Sequence, residues 1–197
     1  MPSPEKPPTE DDAALPRPVL CGEHVTLRGP IPRDQDDRRA AGTHPEYARM
    51  LGQGTAGTKP ISEEQVHRWY QQLQDDPLCW VIEVERRCVG VARLHHLDEV
   101  NRRARYAIAI FDPTLWGQGI GTEATRLVLG HAFDTMRLHR VDLRVLAGNS
   151  RAIAVYEKCG FVREGLERDS VLVDGEWQSD VIMSILEDDY RQRVQHG

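Results

Sequence analysis

The chain has 197 residues, enough for one domain with a substantial buried core. Hydrophobic residues make up 40% and charged residues 28%, which excludes an extended disordered chain. A net charge of -6 gives no general attraction to nucleic-acid phosphates, so no nucleic-acid partner is expected, and it mildly favours a cationic one.

The first 18 residues carry Pro2, Pro4, Pro7, Pro8, Pro16 and Pro18 among acidic and small residues. That composition suits neither helix nor sheet and predicts a flexible leader over 1–18, with one domain over 19–190 and a tail over 191–197. Val25 and Leu27 alternate with His24, Thr26 and Arg28, as in a first strand. The stretch to about Lys59 is charged and then rich in glycine and threonine, and it predicts short helices and a mobile loop. Ser62 and Gln65 form a capping box before Val66, Trp69, Tyr70 and Leu73, an amphipathic helix. Three strands follow: Trp80 to Val84, Cys88 to Leu97, and Arg105 to Phe111.

From Gly119 the period changes, and Ile120, Ala124, Leu127, Val128 and Ala132 line one helical face to about Thr135. A strand over Arg140 to Leu146 leads into a helix from about Ser150 to Cys159, ended by Gly160. Two or three strands close the domain, with Asp174–Gly175 as a hairpin turn and Val181 to Leu186 as the last long strand. Antiparallel strands followed by strand–helix–strand–helix–strand imply an α/β (α+β) fold, a mixed sheet flanked by helices.

Cys21, Cys79, Cys88 and Cys159 are scattered and form no Cys-x-x-Cys pair, so neither a zinc site nor a disulfide framework is expected, and no metal. Without a membrane-length apolar run or a signal-peptide core, the expectation is a cytoplasmic protein that touches no membrane.

The chemistry concentrates in Phe111–Asp112–Pro113–Thr114–Leu115–Trp116–Gly117–Gln118–Gly119–Ile120–Gly121–Thr122–Glu123–Ala124. A strand ends, and three alternating glycines stand where a helix begins. Such glycines let main-chain N–H groups approach a ligand, and a helix start adds unpaired donors and a positive dipole end. Together they suit a pyrophosphate. A plain connecting turn is the simpler reading. A dinucleotide fingerprint also fits Gly119-x-Gly121-x-x-Ala124 formally. That motif, however, follows its strand at once and opens a parallel sheet, whereas here Asp112 to Gln118 intervene and antiparallel strands come first. The following strand also closes as Val145–Leu146–Ala147, without an acidic residue.

Trp116–Gly117–Gln118–Gly119–Ile120–Gly121 resembles the coenzyme A motif of the GNAT superfamily, Q/R-x-x-G-x-G/A, with Trp116 at the first position. Asn149 to Phe161 is similar to the Asn-x-x-A-x-x-x-Tyr-x-K-x-Gly-Phe signature of the branch that holds ribosomal-protein N-terminal acetyltransferases and spermidine N-acetyltransferases. The resemblance covers about residues 20 to 188. It implies a mostly antiparallel sheet with a splayed parallel pair at the fourth and fifth strands, and a monomer or homodimer.

It further implies an N-acetyltransferase that uses acetyl-coenzyme A on a small-molecule amine or a protein N-terminus. Another acyl-coenzyme A, an aminoacyl-tRNA donor, or a non-catalytic coenzyme A-binding regulatory module are the alternatives. By the resemblance Tyr156 gives the leaving thiolate its proton, as a phenol can. Gly117, Gln118, Gly119, Ile120, Gly121 and Thr122, with Trp116, hold the diphosphate. Main-chain groups at Ile110, Phe111 and Asp112 bind the pantetheine. Asn149 contacts that arm and Lys158 the nucleotide phosphates, although Asn149 also suits a helix N-cap and Lys158 a solvated surface. Relatives commonly carry Glu where this chain has Arg105, so Arg105 suits an anionic acceptor instead. A base is then sought among His95, His96, Asp98 and Glu99, and the acceptor side among 42–59 and the last hairpin.

Overall fold

In the computed structural model, residues 17–54 and 58–196 are described. The leader expected over 1–18 lies outside them but for Arg17 and Pro18.

The alternation of strand β3 (Cys79–Val84) shows how the centre is built. Cys79 and Val81 pack with Leu73, Cys88 and Phe111, while Trp80 and Ile82 pack with Val25, Leu27, Ala92 and Leu94. A strand turns successive side chains to opposite faces, so the sheet is covered on both. One face carries α4 (Ile120–Gly130) and α5 (Ser150–Cys159), through Ala124, Val128, Ile153 and Tyr156. The other carries α1 (Asp34–Ala41) and α3 (Glu63–Asp75), with the short α2 (Pro45–Met50) between them in the chain. The capping box of α3 forms as its sequence requires: the Ser62 N–H donates to Gln65 Oε1 at 2.8 Å, and the Gln65 N–H to Ser62 Oγ at 3.2 Å. The helical face expected to about Thr135 is continuous, but past Gly130 it widens into a π-type turn over His131–Thr135.

Among the described residues, eight strands form one sheet. In spatial order they are β1 (Leu20–Cys21), β2 (Thr26–Arg28), β3, β4 (Arg87–Asp98), β5 (Arg103–Ile110), β6 (Arg140–Leu146), β8 (Glu176–Leu186) and β7 (Val162–Val173). The Asp174–Gly175 turn joins β7 to β8 with both residues at positive φ, 49° and 86°. Helix α6 (Glu187–His196) runs across residue 190, where the sequence pattern places the domain's end.

All neighbouring strands are antiparallel except β5 and β6. This is the pair expected as fourth and fifth, and the unanticipated β1 advances the count by one. Pairing between them is limited to Arg103↔Arg140, Ala104↔Val141 and Arg105↔Asp142. Beyond that the strands part, each held from outside: β4 stays paired with β5 to Gly90↔Ile110, and β8 with β6 to Asp180↔Leu146. Two braced strand halves facing an open gap position the site.

Candidate active site

The gap forms a cleft of about 760 Å³. Tyr106, Ile108 and Ile110, on the α4–α5 face, border it together with Ala107 and Ala109 of the opposite face, so it passes between the strands rather than lying on one surface. On the α4–α5 side it meets the glycine loop, Asn149 and Tyr156. On the other it meets Tyr47 and Met50 of α2, Arg144 of β6, and Val171 and Asp180 of the last hairpin.

Main-chain direction along β5 follows from one bond. The Phe111 N–H donates to Val89 O at 3.0 Å, so alternate residues face β4, while Ile108 and Ile110 turn their N–H and C=O toward the gap. The Phe111 amide therefore faces away from the cleft. Its ring lies in the opposite layer, edge-on to Tyr47 (6.2 Å) and Trp69 (5.9 Å), with the Arg38 guanidinium 4.6 Å from its centroid.

The loop after β5 is held by its own side chains. Asp112 Oδ1 accepts from the Thr114 N–H (2.8 Å) and hydroxyl (2.7 Å), and these bonds hold its carboxyl below the usual range. Trp116 Nε1 donates to Ile110 O at 3.1 Å, and Gln118 Nε2 to Thr114 O at 2.8 Å. Gly117 (φ 78°) and Gly119 (φ 87°) adopt a conformation that L side chains rarely reach. A Cβ at either would meet nothing within 4 Å, so the backbone requires these glycines and leaves open space before them. The first bond of α4 runs from the Glu123 N–H to Gly119 O at 3.0 Å. The amides of Ile120, Gly121 and Thr122 therefore lack an intrahelical partner and point out at the positive end of the dipole. The Ile120 side chain packs into the core. This arrangement fits a diphosphate.

Tyr156 is 7% exposed, its ring edge-on to Tyr106 (6.4 Å) and Phe161 (5.7 Å). Among the described residues its hydroxyl has no hydrogen-bond partner, and the side chain borders the cleft. Burial, then the nearby Cys159 thiol, raises its pKa above the ordinary 10.0, so the phenol keeps its proton. Tyr106 differs: its hydroxyl is bonded to Thr125 Oγ1 at 3.0 Å, and Thr125 donates to Gly121 O at 2.6 Å, which ties β5 to α4. Asn149 caps α5, accepting from the Ala152 N–H at 3.1 Å, and its NH₂ group remains available to the cleft. Lys158, near the end of α5, also borders it.

Other sequence candidates are not brought there. Arg105 lies where β5 and β6 are still paired, and its Nε donates to Asp142 Oδ1 at 2.8 Å, which keeps the guanidinium out of the cleft. Glu99 sits in the exposed turn after β4, beside Asp98. His95 and His96 face each other at 2.7 Å outside the cleft. Burial first, then Arg93, lowers the His95 pKa to about 4. Among the described residues, no three His, Cys, Asp or Glu side chains cluster to hold a metal ion, and no helix is long and apolar enough to cross a membrane.

Part of the stretch 42–59 does border the cleft, through Glu46, Tyr47 and Met50, as do Val171 and Asp180 of the hairpin. Sequence reasoning named none of these, nor Arg151. The Arg151 guanidinium lies 4.8 Å from the Trp116 ring centroid and 3.6 Å from Glu46, so it joins the two sides of the cleft.

Residues 24–162 match the family model described as acetyltransferase (GNAT) domain. YdaF of Bacillus subtilis (strain 168), provisionally named a ribosomal N-acetyltransferase, is 30% identical over 83% of this chain and 92% of its own length. The spermidine N(1)-acetyltransferase of Escherichia coli (strain K12) is 30% identical over 56% of this chain. The chain spans only 59% of that enzyme, as it does of another curated relative. The crystal structure of spermidine N-acetyltransferase from Vibrio cholerae in complex with CoA and spermine superposes with a TM-score of 0.71. It does so at 23% identity, covering 86% of this chain and 98% of that one.

Proposed function

The chain belongs to the GNAT acetyltransferase family, and on that premise we propose that it transfers an acetyl group from acetyl-coenzyme A to a primary amine by direct attack in a ternary complex. One observation carries the reading: an open glycine loop at a helix start and a partnerless, protonated phenol border the same cleft between parting strands.

The amides from Gly117 to Thr122 bind the diphosphate. The pantetheine arm runs along the unpaired edge of β5, where Ile108 and Ile110 offer main-chain groups and Asn149 its amide. Lys158 faces the nucleotide phosphates. The thioester carbonyl receives a main-chain N–H in the gap; one well-aimed donor to a developing oxyanion contributes about 3–4 kcal/mol. The neutral amine attacks that carbonyl carbon, a C–N bond forms, and the C–S bond breaks. The departing sulfur takes the proton of the Tyr156 hydroxyl, and the phenol regains a proton as the new amide nitrogen loses one. The acceptor enters from the side of α2 and the last hairpin. Relatives named for spermidine and for ribosomal protein uS5 alanine support an amine acceptor, as a small molecule or a protein N-terminus.

The test is thiol release from acetyl-coenzyme A with a panel of amines, comparing wild type with Tyr156→Phe. The expected result is micromolar-range donor binding by both and turnover chiefly by the wild type. No binding of any acyl-coenzyme A would overturn the reading.

A further inference from the structure

The far side of the cleft contains one charge that the fold does not answer. Asp180 pairs in register with Leu146 on one side and with Glu167 on the other. Residues directly across an antiparallel pair share a face, so the Asp180 and Glu167 carboxylates stand side by side. Like charges so placed repel, and the structure neutralises only one: Arg144 reaches Glu167 at 2.8 Å. Among the described residues the Asp180 carboxylate has neither a hydrogen bond nor an ion pair, and the residue borders the cleft.

The remaining charges that face this space are accounted for. Glu46 of α2 is matched by Arg151 of α5 at 3.6 Å, and Arg144 by Glu167. Lys158 belongs to the α5 wall near the glycine loop, and the Tyr47 and Tyr156 phenols are held neutral by burial. The α2–hairpin side thus presents one uncompensated negative charge. It stands where β6 ends and the chain turns toward α5, since the Ala147 N–H donates to Ser179 O at 2.8 Å and α5 begins at Ser150.

On the reading that the cleft transfers an acetyl group to an amine, we infer that Asp180 receives the acceptor's ammonium group and takes the proton it must lose before attack. The alkylammonium R–NH₃⁺ gives one proton to the Asp180 carboxylate, and the neutral R–NH₂ attacks the thioester carbon. The Asp180 carboxyl then returns that proton to solvent. Asp180 in this role selects a primary amine protonated in water, without a carboxylate or phosphate beside the reacting nitrogen, which its carboxylate would repel.

The test uses the full chain with acetyl-coenzyme A, and spermidine and an N-terminal-alanine peptide as probes, comparing wild type, Asp180→Asn and Asp180→Glu. Donor affinity is measured calorimetrically alongside. The expected result is a fall of about a hundredfold in kcat/KM for the amine in Asp180→Asn, with much of it in kcat. Donor affinity stays unchanged, the thermal midpoint does not fall, and Asp180→Glu recovers part of the rate. The defect should shrink as pH rises toward the amine's own pKa, about 10.4 for a lysine-like group, because solvent then supplies neutral amine. Wild-type rates and pH profile in Asp180→Asn would overturn the assignment and leave the transfer reading intact. Absence of transfer by the wild type to either probe, with no donor bound, would instead defeat the reading on which it rests.

Discussion

The two sides of the cleft are built from different materials. The glycine-loop side offers mostly main chain, with Asn149 and Tyr156 beside it: amides at the start of α4, the free edge of β5, and backbone turned by Gly117 and Gly119. The opposite side is made of side chains from α2, β6, β7 and β8, elements that meet only in the folded molecule. Main-chain sites recognise what is common to a class of ligand, in the proposed reading a diphosphate and an amide-bearing arm. Side-chain sites are free to differ, and in the proposed reading they carry the choice of acceptor.

Substitutions can break that comparison, beginning with the largest effect. At Gly119, valine would place a β-branched residue at φ 87° and a side chain in the open space proposed for the diphosphate. Backbone strain of about 1–3 kcal/mol and the steric block together should lower acyl-coenzyme A affinity about a hundredfold or more. Calorimetry checks this, and unchanged affinity would show that the loop is only a connector. Tyr156→Phe should lower turnover at least about tenfold while donor affinity holds, which separates chemistry from binding within the glycine-loop side.

Arg151→Ala sharpens the comparison, because Arg151 touches Trp116 on one side and Glu46 on the other. An exposed cation–π contact contributes about 0.5–1 kcal/mol, so the amine KM should rise about two- to fivefold with little change in donor affinity. Equal changes in both would mean that the two sides act as one.

The smallest effect concerns a clamp between β6, β7 and β8. Glu164 accepts from Arg140 Nη1 and from Ser184 Oγ, both at 2.7 Å, and the Arg140 guanidinium chiefly lowers its pKa from 4.5 to about 2. A depressed carboxylate pKa adds stability above pH 4.5, and that contribution is lost as pH falls toward 2. With the Glu164 side chain 40% exposed, screening limits it to less than about 1 kcal/mol. Glu164→Gln should lower the thermal midpoint slightly at pH 7, with the difference vanishing near pH 2; an equal deficit at both would contradict the pairing.

The same contrast explains what the sequence made legible. Gly117 and Gly119 stand out because φ near 80° requires glycine, and Asn149 to Gly160 because cap, apolar stripe and terminator all fall within one helix. These are local demands, written in neighbouring residues. The parallel pair was implied by the resemblance, and the strand–helix–strand order is compatible with it. By contrast, β1 is too short for any period to show, and α2 lies in a stretch of mixed polarity. Asp180 reads as one more polar residue of an alternating strand. Its isolation exists only because Arg144 turns to Glu167 two strands away, a pairing set by register. Arg105 shows the converse: its family position suggested the site, but pairing with Asp142 before the strands part takes it elsewhere.

The most direct test is a crystal structure with coenzyme A. The account predicts diphosphate oxygens within hydrogen-bonding distance of the amides from Gly117 to Thr122, and a pantetheine arm between β5 and β6 that ends beside the Tyr156 hydroxyl. A diphosphate bound elsewhere, or an arm turned aside by the Trp116 indole, would contradict it.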